Sequence, residues 1–584
     1  MALIVLLAGC AGAPPESEPT QPVVDTPSTP LTTEYSLRLP DTEWESPFNA
    51  AETSLSRNDW MSADTVLTEL ESEPMNPDDR ARLVYLQARI AHLRGDQDLA
   101  GKLLAGIDQP GLHPALAYRV YNFQRHLLDL SGDYLGSAQI GAALMESAPA
   151  ADRAALKRSV WHDLQRLESG ALESAAAQAY DPDWAGWLSL AALANRDLAS
   201  LATELPTWLA SHPEHPAANP LPGGLEYLAA APVPPDRVAL ILPLSGRLAP
   251  AAKSVRDGYL AAYYRARRTG TAPMELMVID SDRYESSTEA YSEAVASGAK
   301  LVVGPLSKSA VAELAMAPDR NVPVLALNQV EGETPPSNSA LVQFSLAPED
   351  EAAQIARLAF GHGARRALVL RPAGAWGEKM EQALRERWQA LGGITADVAT
   401  YSGQDDYSAG VKSGLGIAAS EQRRRQVRDM LATNVEFTPR RRRDLDAIFM
   451  LARNGPEARA LKPLLAFHYA GALPVYATSS VYSGVPDSRD KDLNDLNLVE
   501  LPWLLGSNPT LKTAIASGGG DRYPRLNALG ADAYHMQSRL VQLRAGPDAL
   551  IRGDTGLLTM NPRLQIQREL EPARFDGAQL RAAR

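Results

Sequence analysis

Two spacings of apolar residues succeed one another along this chain. From about residue 35 to residue 211 they recur at steps of three and four. Leu83, Leu86, Ile90 and Leu93 make one stripe, and Leu116, Val120, Phe123, Leu127 and Leu130 another. That period places each set on one face of a helix, so the region is predicted to be all-α. Asn58-Asp59, Gly95-Asp96 and Gly132-Asp133 punctuate it, each pair closing one helix and capping the next. The three Asp are 37 residues apart, and four residues after each stands a small side chain (Ala63, Ala100, Ser137) that lets paired helices approach. This predicts a repeated helix-turn-helix unit, whose register weakens towards Asn195-Arg196-Asp197.

After residue 236 the spacing changes. Val238 to Leu242 are five consecutive apolar residues, as in a strand covered on both faces, and Val255, Tyr259, Ala262 and Tyr263 follow at helical steps. The alternation continues through strands at 275–280, 301–304 and 323–328, and then 367–370, 394–400, 446–452 and 474–478. Helices are expected between them, one running unbroken over 456–469. Strands separated by helices of this length imply parallel sheets, here in two lobes over 236–546, with a C-terminal extension at 547–584. Seven prolines between residues 212 and 235 mark the boundary as a linker expected to form neither helix nor strand.

Length and charge narrow the function. At 584 residues the chain is too long for one core. Its 57 Lys+Arg against 70 Asp+Glu, a net charge of −13, argue against broad nucleic-acid binding. No run approaches the roughly 20 apolar residues of a spanning helix. Against the acidic trend, Arg423, Arg424, Arg425, Arg428 and Arg440, Arg441, Arg442, Arg443 put eight arginines in 21 residues. The run is either a solvated helix face with a strand entrance or a docking patch for an acidic protein surface, since arginine pairs with carboxylates bidentately.

The single cysteine, Cys10, excludes internal disulfides and cysteine-based zinc sites. Leu7-Ala8-Gly9-Cys10, after a short apolar stretch, resembles the lipobox of bacterial lipoproteins, which implies a lipid (palmitate) anchor on Cys10. A secretory leader carries positive charge ahead of its apolar part, and none precedes Cys10, so the natural start is expected upstream of Met1. Residues 10–34, with six prolines from Pro14 to Pro30 among Ser, Thr and Glu, have too little to bury and read as a tether. Ala11 after the cysteine implies, by the same resemblance, sorting to the outer membrane.

Candidate chemistry is sparse. Ser245 and Gly246 follow the first strand and Ser307 follows the third, at strand-to-helix turns where free N–H groups favour an anion; the serines serve equally well as helix caps. The signatures Gly-x-Ser-x-Gly, His-Glu-x-x-His and Gly-x-x-x-x-Gly-Lys are absent, which argues against an enzyme. His212 and His215 lack a third ligand, so no metal or cofactor is expected.

Pro243-Leu244-Ser245-Gly246, Arg256-Asp257-Gly258, Val303-Gly304-Pro305-Leu306-Ser307 and Pro323-Val324-Leu325-Ala326-Leu327-Asn328 resemble the type I periplasmic binding-protein fold. With a lipobox and tetratricopeptide-like repeats ahead of it, and with Ala466 to Gly471 and Leu473 to Ser479, the chain resembles the LpoA family. The resemblance implies an outer-membrane lipoprotein, not an enzyme, that binds and stimulates a class A penicillin-binding protein and so regulates peptidoglycan synthesis and cell shape. The competing expectation is a lipid-anchored receptor for an amino-acid-like ligand held at Ser245, Gly246 and Ser307.

Overall fold

The computed structural model describes residues 37–583 apart from 108–110, 230–233, 269–273, 318–319, 331–339, 432–435 and 547. Cys10 and the tether lie outside the described residues.

The first part is a stack of helix pairs: Glu45–Ser56 with Trp60–Leu70, Pro77–Arg94 with Gln97–Ala105, Pro114–Ser131 with Tyr134–Leu144, Ala150–Gln165 with Ser169–Gln178, and Pro182–Ala194 with Leu198–Ser211. The 37-residue spacing sets this order through its caps. Asp59, Asp96 and Asp133 accept the N–H of Ser62, Leu99 and Gly136 at 2.9 to 3.1 Å. Each cap is worth about 1 kcal/mol. Ala63, Ala100 and Ser137 are fully buried where the paired helices meet.

The proline-rich stretch does not behave as an unstructured linker. Pro222–Gly224 makes a 3-10 turn and Leu225–Ala229 a helix. Proline is tolerated in a first helical turn, and Leu221, Leu225 and Leu228 bury themselves in the same core as Trp187 and Leu201. His215 is buried there too, its Nε2 2.8 Å from the Asp183 carbonyl and its Nδ1 accepting from the Ala217 N–H.

Two open sheets follow. The first carries β1 (Arg237–Leu242), β2 (Glu275–Asp280), β3 (Leu301–Val303), β4 (Val324–Ala326) and β5 (Leu341–Phe344). The second carries β6 (Arg366–Pro372), β7 (Ile394–Tyr401), β8 (Ala447–Met450), β9 (Val475–Ala477) and β10 (Asn497–Glu500). In each the five strands are parallel and lie in the order 2-1-3-4-5. The unbroken apolar run of β1 is explained by burial on both faces. Val238, Leu240 and Leu242 pack against Val255 and Tyr259, while Ala239 and Ile241 pack against Ala290 and Val311. In the second sheet Leu368, Ile448 and Met450 face one core and Val369, Ala447 and Phe449 the other.

The residues after 547 are integral to both sheets. β11 (Ile551–Gly553), β12 (Gly556–Met560) and β13 (Gln565–Glu569) extend the first beyond β5, and β14 (Glu571–Asp576) and β15 (Gln579–Ala582) extend the second beyond β10. A single residue, Leu570, separates β13 from β14, so the chain steps directly from one lobe to the other.

The helical repeats are docked on both lobes. Asp129 and Arg166 come from the repeats, Glu569 from β13 and Arg357 from the second-lobe helix Pro348–Gly361. Arg166 donates to Asp129 at 2.5 Å and also to Glu569; Arg357 donates to Asp129 at 2.6 Å and to Glu569 at 3.3 Å. His162 adds a contact to Glu569 at 2.9 Å. Burial pushes both carboxyls up, but Arg357 and Arg166 at Asp129, and Arg166, His162 and Arg357 at Glu569, outweigh it and hold each well below the usual carboxylate range.

Candidate functional site

In open α/β sheets the ligand crevice lies at the carboxyl ends of the strands where the order reverses, here between β1 and β3. Ser245 and Gly246 leave β1 and Ser307 leaves β3, so the topology brings the sequence-picked residues to one crevice. Gly304 (φ 107°) makes their approach possible, since a Cβ there would overlap the Ile241 carbonyl oxygen.

The turn after β1 is already supplied with anions. Leu244 N–H donates to Asp280 at 2.8 Å, Ser245 N–H to Asp282 at 3.2 Å and Gly246 N–H to Asp282 at 2.6 Å. Ser245 Oγ donates to Asp280 as well. Burial raises the Asp280 carboxyl, but the Ser245 hydroxyl, the N–H groups of Leu244 and Asp282, and Arg283 hold it below its ordinary value. The chain's own carboxylates, from the end of β2 and the turn after it, thus occupy the N–H groups that a ligand carboxylate would need. Ser307 caps the helix Lys308–Met316, its Oγ accepting from Ala310 N–H at 3.2 Å. Asp280 and Asp282 were legible as acidic residues ending the second strand, but nothing in the sequence aimed them at the first turn.

The arginines divide into two neighbouring groups on the second lobe. Arg423, Arg424, Arg425 and Arg428 are exposed on the helix Ile417–Leu431. Arg440, Arg441, Arg442 and Arg443 precede β8 and run beside the root of that helix, with Arg442 N–H donating to the Leu415 carbonyl at 2.9 Å. Arg442 is held by Asp444 at 2.7 Å and Asp397 at 3.4 Å. Arg441 Nε donates to the Tyr469 carbonyl at 2.9 Å.

That last contact leads to residues the periodicity did not isolate. The helix expected to run to residue 469 ends at Leu465, and Ala466–Ala470 forms a wider bulge with Tyr469 at φ 64°. Pro463 sits in the last turn of the helix, which loosens the hydrogen-bond ladder there. His468 turns inward to Ser408, at 3.0 Å, leaving Phe467 and Tyr469 outside with 74% and 54% of their surface exposed.

Among the described residues no group of three or more His, Cys, Asp or Glu is placed to hold a metal ion, and no helix is long and apolar enough to cross a membrane.

Against known proteins, residues 42–577 match the family model of the LppC lipoproteins. The penicillin-binding protein activator LpoA of Photobacterium profundum is 29% identical, over 98% of this chain and 95% of its own. That of Aliivibrio fischeri is 30% identical, over 87% and 85%. Among solved structures, full-length LpoA from Haemophilus influenzae is 22% identical, covers 92% of this chain and 94% of its own, and superposes with a TM-score of 0.48.

Proposed function

Because the chain belongs to the LppC lipoprotein family, we propose that it is a penicillin-binding protein activator: a lipoprotein that binds a class A penicillin-binding protein and raises its peptidoglycan synthesis without catalysing a step itself. The observation that carries this reading is the match along nearly the whole chain, helical repeats and two-lobed module together, to relatives named as such activators. Cys10 is the lipid attachment site, and the segment up to residue 34 tethers the folded part to the periplasmic side of the outer membrane. Activation requires only that the protein bind the active conformation of the synthase more tightly than the inactive one.

The filled turn after β1 favours this reading over a receptor for an amino-acid-like solute, since Ser245 and Gly246 spend their N–H groups on Asp282. The reading is tested by capture. Full-length protein, immobilised, should retain a purified class A penicillin-binding protein, and a Cys10→Ser protein should do so equally while leaving the membrane fraction. Failure of both proteins to retain the synthase would refute the assignment.

A further inference from the structure

The helix Ile417–Leu431 leaves the body of the second lobe after its first turn. Ile417 is its one buried residue, and every side chain from Gln422 to Leu431 is exposed. An isolated helix of this length is marginal in water, so a projecting one is a natural candidate for stabilisation by a partner. Its outer part is amphipathic although, among the described residues, its apolar side chains stay exposed: Val427, Met430 and Leu431 recur at steps of three and four, with Met430 and Leu431 77% and 61% exposed. By the helical period Arg423 falls within that stripe and Arg424 beside it, while Arg428 lies further round the helix, paired with Asp429 at 3.1 Å. Arg424 stacks on Phe437 at 5.3 Å, and among the described residues Arg423 and Arg425 have no ion pair.

The root of the helix adjoins a second apolar element. Arg441 ties the segment before β8 to the bulge at Tyr469, and Lys412 pairs at 3.2 Å with Glu421 of the helix beside His468. A left-handed backbone at a tyrosine costs free energy, about 1 kcal/mol or more, and here it holds two aromatic rings outward. Such rings are the side chains that dominate interface energetics. This face lies at the amino ends of β8 and β9, the end of the sheet opposite the carboxyl-end crevice.

We propose that this face, the helix with Arg424, Arg428, Met430 and Leu431 and the bulge with Phe467, is a docking surface for an acidic protein face carrying an apolar groove. The proposal rests on the activator reading and assigns that acidic face to the synthase. The occupant is chosen by charge and by residue type. The cations between residues 423 and 443 are all arginine, with no lysine, which suits paired contacts to carboxylates better than a diffuse attraction. The helix enters an apolar groove through its three-and-four stripe, and the arginines meet carboxylates at the rim.

The test measures binding of the full chain to an immobilised class A penicillin-binding protein at two ionic strengths. Arg424→Glu/Arg428→Glu is expected to weaken binding at least about tenfold, mainly through slower association, and to flatten its salt dependence. Met430→Ser/Leu431→Ser, and separately Phe467→Ser, should weaken it by a similar factor through faster dissociation. Melting temperature should be unchanged in all three, because the side chains are exposed, and the control Arg57→Glu/Arg247→Glu should bind as the unaltered protein does. Unaltered protein that binds the synthase, with all three variants within about twofold of it, would overturn the docking surface and leave the activator reading standing. No binding by the unaltered protein would overturn the activator reading and this surface with it. Retention on anionic vesicles that is lost in Arg424→Glu/Arg428→Glu, with synthase affinity unchanged, would assign the face to a lipid surface and also overturn the proposal.

Discussion

Arg357, on the first helix of the second lobe, donates through Nη2 to both carboxylate oxygens of Asp129, in the third helix pair of the repeats, at 2.6 and 2.9 Å. Because Arg166 and Arg357 also reach Glu569 on β13, one ionic cluster fastens the repeats to both lobes at once. A solute receptor works by moving its lobes against each other. Here any such movement has to separate charges that are already taken out of water.

Removing one partner of this cluster should therefore be expensive. Asp129→Ala leaves Arg357 with Glu569 alone, which Arg166 also claims beside its contact to Asp163 at 3.4 Å, and an undercompensated buried charge costs about 3 to 5 kcal/mol. Hydrogen exchange should rise together in Pro114–Ser131 and Pro348–Gly361, elements that belong to different domains. Exchange confined to the first would mean that the junction is held by other contacts.

A second point of docking is backbone on backbone. Gly95 ends the helix Pro77–Arg94 and Gly363 follows the helix Pro348–Gly361, at φ 89° and 90°, and a Cβ on either would overlap the other's carbonyl oxygen. Gly95→Ala thus adds a clash between domains to the ordinary cost of a left-handed alanine. At Gly132, also left-handed but with open space around it, alanine meets only the second cost. Gly95→Ala should lower the melting temperature more than Gly132→Ala; equal losses would mean that the domains part without penalty.

Beside Gly95 sits His92, buried against Phe123 and Phe360. Burial first, then His126 and Arg365, lower its pKa to about 3. A folded-state pKa below the unfolded one gives stability that is present above about pH 6.5 and is lost as pH falls; at pH 5 the loss is about 2 kcal/mol. Asp163, raised to about 6 chiefly by burial, and Asp532, raised to about 7 chiefly by burial, act in the opposite sense, because a carboxyl kept protonated gains as pH falls. The informative quantity is the difference between proteins. From pH 7 to pH 5, His92→Gln should lose less melting temperature than the unaltered protein, and parallel curves would show that His92 does not couple to folding.

How much of this was legible in the sequence depended on whether the signal was local. The caps Asp59, Asp96 and Asp133 and the two-faced run Val238 to Leu242 were legible because a cap and a doubly buried strand announce themselves within a few residues. β11 to β15 were not. They are short additions, antiparallel among themselves except that β13 joins β5 in parallel, and in β13 Ile566 and Arg568 are buried on the same face and Gln567 is half-exposed, so apolar alternation is broken by a buried arginine. Leu221, Leu225 and Leu228 were masked by prolines whose restriction ends where the helix begins. At the site, Ser245 and Ser307 could be placed at turns because strand-to-helix junctions are local. Asp282 on Gly246 and Arg441 on Tyr469 join residues about 30 positions apart or more, and such pairs become visible only in three dimensions.

Since the turn after β1 is filled, free amino acids should find no seat there. A ligand at a hundredfold excess over its dissociation constant would stabilise the protein by about 2.7 kcal/mol. No amino acid at millimolar concentration is expected to move the melting temperature. A rise that disappears in Ser307→Ala would show that the crevice is a working solute site.

Activation is read from the rate at which a purified class A penicillin-binding protein makes peptidoglycan with and without an equimolar amount of the full-length protein. The rate is expected to rise severalfold and saturably, at concentrations matching the binding affinity, since a modulator acts by preferring one conformation of its target. An unchanged rate at concentrations where the two proteins are bound would contradict it.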